Sequence, residues 1–435
     1  MFTTRTAALL PSFSSPMKKR SRRRRTLPLL LRRRRRPILK CKKSEEEDDV
    51  VVIVSGALGF IGSHCVQHLL RERTSRDIDN VLVVGIDVTS KQLGPCPMEH
   101  KKANLRRLLL PSSSSNNNKK SSDDDDSDAK FVFVEGYLSL SAMDAMEKQL
   151  KNVIFDDGKK KKKRRKIGVV HCAGQSGVHS TLDDPMGAFR ANVETTATMI
   201  ELAKRLRGNF VLLSSGATYG DGAGKMVASK EEEGVMGDDG KSMPTSPYAF
   251  SKIACEAVVR SYGRAFKEME KKITISRIFM CFGNRGRPDM AISRFMRTLL
   301  SNGDESEKKL TMFGDGDDTW RDYCHVSDVC SGIEKALWRE KGSTCETVNI
   351  SRGEAVTLGR LVSAVQKAAS DELKSTSDDA VVIEKLPKRP GDVGGTFADV
   401  TKAKLLLDFE AKISLEDGIA SVAKWYNSDE AKQYT

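Results

Sequence analysis

Tyr248 and Lys252 stand four residues apart in the run Ser246-Pro247-Tyr248-Ala249-Phe250-Ser251-Lys252. Proline suits the first turn of a helix, and residues four apart share one helical face. A phenol beside an ammonium is a proton-transfer device. The nearby positive charge favours the phenolate, which can take a hydroxyl proton while hydride leaves the same carbon. Such chemistry needs a further hydroxyl to bridge substrate and phenol. Ser215, in the run Ser214-Ser215-Gly216-Ala217-Thr218-Tyr219-Gly220, is the candidate, with Thr218 a second hydroxyl nearby. A tyrosine–lysine pair by itself is common on helix surfaces, so the reading depends on what precedes it.

What precedes it is a hydride carrier's binding loop. Gly56-Ala57-Leu58-Gly59-Phe60-Ile61-Gly62 follows an apolar strand and opens a helix. In such a loop the first glycine permits a tight turn, the second lets backbone approach a pyrophosphate, and the third lets helix and strand pack closely. The helix N-terminus, from Phe60 and Ile61, then offers amides and a positive dipole end to the phosphates. Asp87 ends the second apolar strand, where a carboxylate accepts hydrogen bonds from ribose hydroxyls and repels a 2′-phosphate. The expected cofactor is NAD rather than NADP, and Lys252 is expected to hold its nicotinamide ribose as well as to assist Tyr248.

These residues need a scaffold that brings them together. Apolar strands are expected at 50–55, 81–87, 131–134, 167–171, 210–214 and 273–278, with helical segments between them. Strands apolar on both faces and alternating with helices predict an α/β fold, a doubly wound parallel Rossmann sheet with helices on both sides. Ligands of such sheets bind beyond the carboxyl ends of the strands, where Ser215 would lie. The expected organisation is a basic segment at 1–48, an NAD-binding domain at 49–280 and a smaller C-terminal α/β substrate-binding cap, mainly 281–435. Low-complexity insertions at 111–128 and 156–166 read as solvated loops.

The chain has 435 residues and a formal net charge of +14. Residues 1–43 hold 16 Lys and Arg and no acid, so the remainder carries a net −2. The basic character therefore belongs to a tail, and nucleic acid is not an expected partner of the body. The tail is rich in Arg, Ser and Thr, the composition of an organelle transit peptide. Chloroplast is the expected location, with Golgi or cytoplasm as alternatives. No apolar run approaches the roughly 20 residues that span a bilayer, so no membrane anchor is expected. The nine cysteines form no C-x-x-C pair and histidine is scarce, which argues against a metal site or a disulfide framework.

The motifs together resemble those of the extended short-chain dehydrogenase/reductase family, the NAD-dependent epimerases and dehydratases of nucleotide sugars. The resemblance runs from about Val50 to Tyr426. It is carried by the glycine loop, His171-Cys172-Ala173-Gly174-Gln175, Asn192-Val193-Glu194-Thr195-Thr196, the Ser214–Gly220 run, Tyr248-x-x-x-Lys252, Arg321-Asp322-Tyr323 and Arg389-Pro390-Gly391-Asp392. It implies that Arg321 and Arg389 hold a nucleotide diphosphate, that Asp392 and Thr218 belong to the substrate site, that Leu138 lies against the cofactor, and that the enzyme is a homodimer. Dehydratases of the family carry an Asp-Glu pair where this chain has Gly216 and Ala217, so neither the acid nor the base of a dehydration is present. The segments Gly286-Arg287-Pro288-Asp289-Met290-Ala291 and His100-Lys101-Lys102-Ala103-Asn104-Leu105-Arg106 resemble UDP-glucuronate 4-epimerases, and Arg287 is the candidate to hold a sugar carboxylate. The expected reaction is 4-epimerisation of a UDP-sugar, foremost UDP-glucuronate to UDP-galacturonate. The alternatives are UDP-glucose 4-epimerase, another nucleotide-sugar epimerase or decarboxylase, and, most remote, a non-catalytic RNA-binding member. The chain departs from that group at His179, at Gly136-Tyr137-Leu138 and at Met280.

Overall fold

The structure is a computed structural model, and it describes residues 49–71, 81–89, 96–109, 130–155, 165–220, 226–233, 244–301, 308–314, 316, 319–374, 382–387 and 394–434. The expected targeting segment, the 111–128 insertion, most of the 156–166 insertion, and the candidate residues Arg389 and Asp392 lie outside the described residues.

Six strands form where the apolar runs predict them: β1 (Asp49–Ser55), β2 (Val81–Asp87), β3 (Lys130–Glu135), β4 (Arg165–His171), β5 (Asn209–Ser215) and β6 (Ile273–Ile278). A seventh strand, Glu346–Ile350, joins the sheet beyond β6, although the sequence reading did not single it out. All pairings in the sheet are parallel, in the order Glu346–Ile350, β6, β5, β4, β1, β2, β3. The chain therefore winds outward from β1 in both directions. The crevice beyond the carboxyl ends of β1 and β4 is the topological switch point, where open parallel sheets take their ligands. Arg165 and Lys166, expected at the end of a loop, instead begin β4, with Lys166 Nζ 4.5 Å above the Trp338 ring.

The period of two along β1 shows how both faces are covered. Val52 and Val54 pack with helix α1 (Phe60–Arg71) and helix Val326–Leu337. Val51 and Ile53 face the other way, toward Leu150 of Met143–Phe155, Met199 of Thr195–Arg205 and Cys255 of Pro247–Ala265. Each side chain buried to this degree contributes about 1.5–3 kcal/mol. A third cluster joins helices Ala291–Leu299, Leu358–Leu373 and Leu415–Tyr426 through Phe295, Met296, Leu361, Val365, Ile419 and Val422. Thr357 and Ser414 cap the last two helices. Asp322 is buried and accepts backbone N–H bonds from Arg352 at 3.1 Å, Gly353 at 2.9 Å and Ala398 at 3.0 Å, tying together three separate segments of the C-terminal part of the chain. Burial raises the Asp322 pKa, partly offset by these donors.

Among the described residues no helix is long and apolar enough to cross a membrane, no group of three or more His, Cys, Asp or Glu could hold a metal ion, and all eight cysteines are free thiols.

Candidate active site

A cavity of about 1230 Å³ lies over the switch point and extends toward the cap. Its floor is the glycine loop. Gly56 has φ +68°, and a Cβ there would lie 2.7 Å from the Ala173 backbone nitrogen. A Cβ on Gly62 would lie 2.0 Å from the Gly56 carbonyl oxygen. No larger residue fits either position without moving backbone. The loop is anchored by Gly56 N donating to the Ile86 carbonyl at 2.8 Å and Gly59 N to the Gly56 carbonyl at 3.0 Å. Gly59, Phe60, Ile61 and Gly62, at the start of α1, line the cavity, as do Asp87 and Leu138.

Asp87 accepts from three donors. Leu58 N reaches Oδ2 at 2.9 Å, while Val88 N and Lys101 Nζ reach Oδ1, each at 2.7 Å. Lys101 is carried by helix α2 (Met98–Leu109) and also lines the cavity. Asn104, on the same helix, donates to the Leu58 carbonyl at 2.8 Å and so ties α2 to the glycine loop. These observations fit a dinucleotide: a backbone cradle without side chains, a helix N-terminus, and a polar pair at the end of β2.

The catalytic candidates converge at the other end. Ser246 caps the helix Pro247–Ala265. Tyr248 and Lys252 project from it into the cavity, with Lys252 Nζ donating to the Leu213 carbonyl of β5 at 2.9 Å. Ser215 leaves β5 as the cap of a short 3₁₀ turn, its Oγ accepting from Ala217 N at 3.1 Å. Thr218 is a correction to the sequence reading. It is fully buried, is not among the cavity-lining residues, and donates to the Ser215 carbonyl at 2.8 Å, because the 3₁₀ turn rotates it inward.

Behind these groups lies a satisfied polar lattice. Asn192 accepts from Gln175 N at 2.7 Å and donates to Ser251 at 2.8 Å; Ser251 donates to the Tyr248 carbonyl at 2.7 Å. Asn192 sits on a π-helical turn, Arg190–Glu194, a distortion that re-aims side chains. Ser214 donates to Glu256 at 2.6 Å, and Arg277 grips the same carboxylate with two bonds of 2.9 Å. Burial alone would raise the Glu256 pKa; the Arg277 guanidinium and the Ser214 hydroxyl hold it below the ordinary range. His171 is bonded to Ser55 at 2.7 Å and Thr196 at 3.0 Å. Burial, with the Lys252 charge added, pushes its pKa down to about 3.

On the cap side, Arg287 and Arg321 line the cavity. Arg287 grips Asp289 through Nε at 3.0 Å and Nη2 at 2.8 Å, and Nη1 donates to Ser176. Arg321 donates to the carbonyls of Trp320 at 2.7 Å and Gly394 at 3.1 Å. Lys101, Ser176 and Arg294, which stands over the Phe313 ring at 5.9 Å, also line the cavity. The sequence reading did not single them out as site residues. For Lys101 the signal was present, since it falls in a stretch resembling the epimerases; for Ser176 and Arg294 none was visible.

Comparison with known proteins agrees with this geometry. A family model described as GDP-mannose 4,6 dehydratase matches residues 122–422. A UDP-glucose epimerase of Bacillus subtilis, itself uncharacterised, is 27% identical over 377 residues, covering 86% of this chain and 97% of that protein. A UDP-glucuronate 4-epimerase of Thermodesulfobacterium geofontis is 29% identical over 259 residues, covering 59% of this chain and 71% of its own length. The crystal structure of a Bacillus cereus UDP-glucuronic acid 4-epimerase, in complex with UDP-glucuronic acid and NAD, superposes with a TM-score of 0.65 at 27% identity, covering 86% of this chain and 98% of that one.

Two outcomes follow from the site itself. Gly62→Ala, which places a methyl against backbone, is expected to abolish retention of the dinucleotide, measured by nucleotide release on denaturing the purified protein. His171 sets a pH dependence. The unfolded chain binds its proton near 6.5 and the folded chain near 3, so the contribution of neutral His171 is complete above about pH 6.5 and is lost as pH falls toward 3. Urea unfolding between pH 4 and 7 is expected to show a slope steeper by up to about 1.4 kcal/mol per pH unit than in His171→Asn.

Proposed function

This chain belongs to the GDP-mannose 4,6-dehydratase family of NAD-dependent nucleotide-sugar epimerases and dehydratases, and on that premise we propose that it interconverts UDP-glucuronate and UDP-galacturonate by 4-epimerisation. When bound, NAD supplies the hydride acceptor, and then the hydride donor, for C4 of the sugar. The protein's own residues would do the rest. Phe60, Ile61 and the glycine loop hold the pyrophosphate, and Asp87 with Lys101 takes the adenosine ribose. Tyr248 removes the proton of the 4-hydroxyl and returns it once the sugar has turned over. Lys252, fixed by the Leu213 carbonyl, holds the nicotinamide ribose. Ser215 bridges the 4-oxygen and Tyr248. Arg321 takes the diphosphate, as does Arg389, which lies outside the described residues.

Epimerisation is favoured over dehydration because Gly216 and Ala217 line the cavity beside Ser215 and bring neither an acid nor a base. The preference for a uronate rests on Arg287. A guanidinium carries five N–H groups. Asp289 takes two of Arg287's, on the Nε–Nη2 edge, and Ser176 takes one on Nη1. One N–H on Nη1 and one on Nη2 remain for a sugar carboxylate, a partner that arginine favours. Holding that carboxylate in the ring plane also restrains decarboxylation of the 4-keto uronate, a β-keto acid. UDP-glucose is the second reading, favoured by Asp289's offset of the Arg287 charge and by Met280, which adds an apolar wall.

The homodimer expected from the resemblance is supported by a cluster of exposed apolar side chains. Leu182, Met186 and Phe189 lie on the short helices Val178–Asp183 and Pro185–Phe189, and Phe250 on Pro247–Ala265; these helices pack on one another.

Purified enzyme incubated separately with UDP-glucuronate, UDP-glucose and UDP-xylose is expected to convert the first to its 4-epimer. Turnover of UDP-glucose alone would sink the uronate reading. Tyr248→Phe is expected to cut kcat by about 10²–10⁴-fold, and Arg287→Ala to raise KM for the uronate about tenfold while sparing UDP-glucose. Light scattering is expected to give a dimer, with Met186→Asp plus Phe250→Asp shifting it to monomer; a wild-type monomer would refute the dimer.

A further inference from the structure

We infer that Lys101 and Asp87 read the adenosine ribose as one electrically neutral unit, and that this pair, rather than the carboxylate alone, sets the choice between NAD and its 2′-phosphorylated form. The inference rests on the assignment of this end of the cavity to the adenosine ribose.

The hydrogen-bond inventory carries it. A carboxylate offers about four lone-pair sites. On Asp87, Oδ1 accepts from Val88 N and from Lys101 Nζ, each at 2.7 Å, and Oδ2 accepts from Leu58 N at 2.9 Å. One site is left, on Oδ2, so Asp87 can take one ribose hydroxyl but not both. Lys101 has three N–H groups and gives two, to Asp87 and to the Val88 carbonyl at 3.2 Å. Its third N–H complements the remaining lone pair of Asp87. Acceptor and donor stand side by side on the cavity wall, the pattern that a vicinal diol satisfies.

The electrostatics point the same way. The side chains of Lys101 and Asp87 are only 7% and 8% exposed, so solvent and salt screen their charges weakly. A lone carboxylate here would present a full negative charge to a 2′-phosphate. Paired with the ammonium, the site is neutral, and the repulsion is much reduced. Glu135, in register with Asp87 on β3, is exposed and held by Thr89 at 2.7 Å. The position of Lys101 is rigid, because Asn104 three residues on binds the Leu58 carbonyl.

The test is fluorescence titration of the purified protein with NADH and with NADPH, displacing resident NAD, for the parent, Lys101→Met, Asp87→Asn and the double variant. The readout is the ratio of the two affinities. Lys101→Met strands the negative charge and is expected to shift the ratio against NADPH by about tenfold. Asp87→Asn strands the positive charge and is expected to shift it toward NADPH by a similar factor, and the double variant to return it close to the parent's. If Lys101→Met does not fold, the double variant against Asp87→Asn reads the same ammonium, since neither carries an unpaired buried carboxylate. A ratio unmoved by removing Lys101 in either background overturns the inference, even if both affinities fall, because a merely structural role weakens both nucleotides alike. No sugar enters the measurement, so failure of the epimerase reading leaves its result unchanged.

Discussion

The carbonyl of Gly56 and the α-carbon of Gly62 approach so closely that no side chain fits between them. Much of the site depends on that contact. It draws the start of α1 onto the end of β1, so the helix amides face the crevice between β1 and β4. Gly56 in turn abuts the Ala173 backbone, which joins the loops after those two strands into one floor. The loop forms a backbone cradle by leaving out atoms; Gly62 is required by backbone distance, and Gly56 by both distance and its φ of +68°.

The catalytic end is held by the opposite means, a buried polar lattice. Lys252 is tied to β5, Ser251 to Asn192, and Asn192 to the loop after β4. Ser214, the neighbour of Ser215, is held by Glu256, and Glu256 by Arg277. A buried carboxylate and guanidinium cost much solvation and return little net stability. Their value here is positional: they fix the strand end that carries Ser215 to the helix that carries Tyr248. Groups that must meet a substrate hydroxyl within hydrogen-bond distance gain from supports of this kind.

Much of this was legible in the chain. The apolar runs located six of seven strands, because a strand buried on both faces leaves an unbroken hydrophobic signature. The glycine loop, Asp87, Tyr248, Lys252 and Ser215 stood out by residue type and spacing, and the structure brings them to one cavity. The seventh strand, Glu346–Ile350, was less visible. It contains Asn349, whose side chain is buried against Tyr219 and the carbonyls of Ser229 and Asp399. A polar residue satisfied by distant partners does not resemble a strand core in one dimension.

What the sequence determined by itself was a set of residues: a glycine loop between strand and helix, a phenol and an ammonium on one helical face, and Gly216 and Ala217 with neither acid nor base. These follow from local spacing, which backbone geometry converts directly into placement. What only the tertiary structure decided was which partners each charge has. Thr218 turns inward, Arg287 is shared with Asp289 and Ser176, and Asp87 is neutralised by a lysine fourteen residues away. Ion pairs and hydrogen bonds depend on distance in space, and the fold alone brings those atoms within reach.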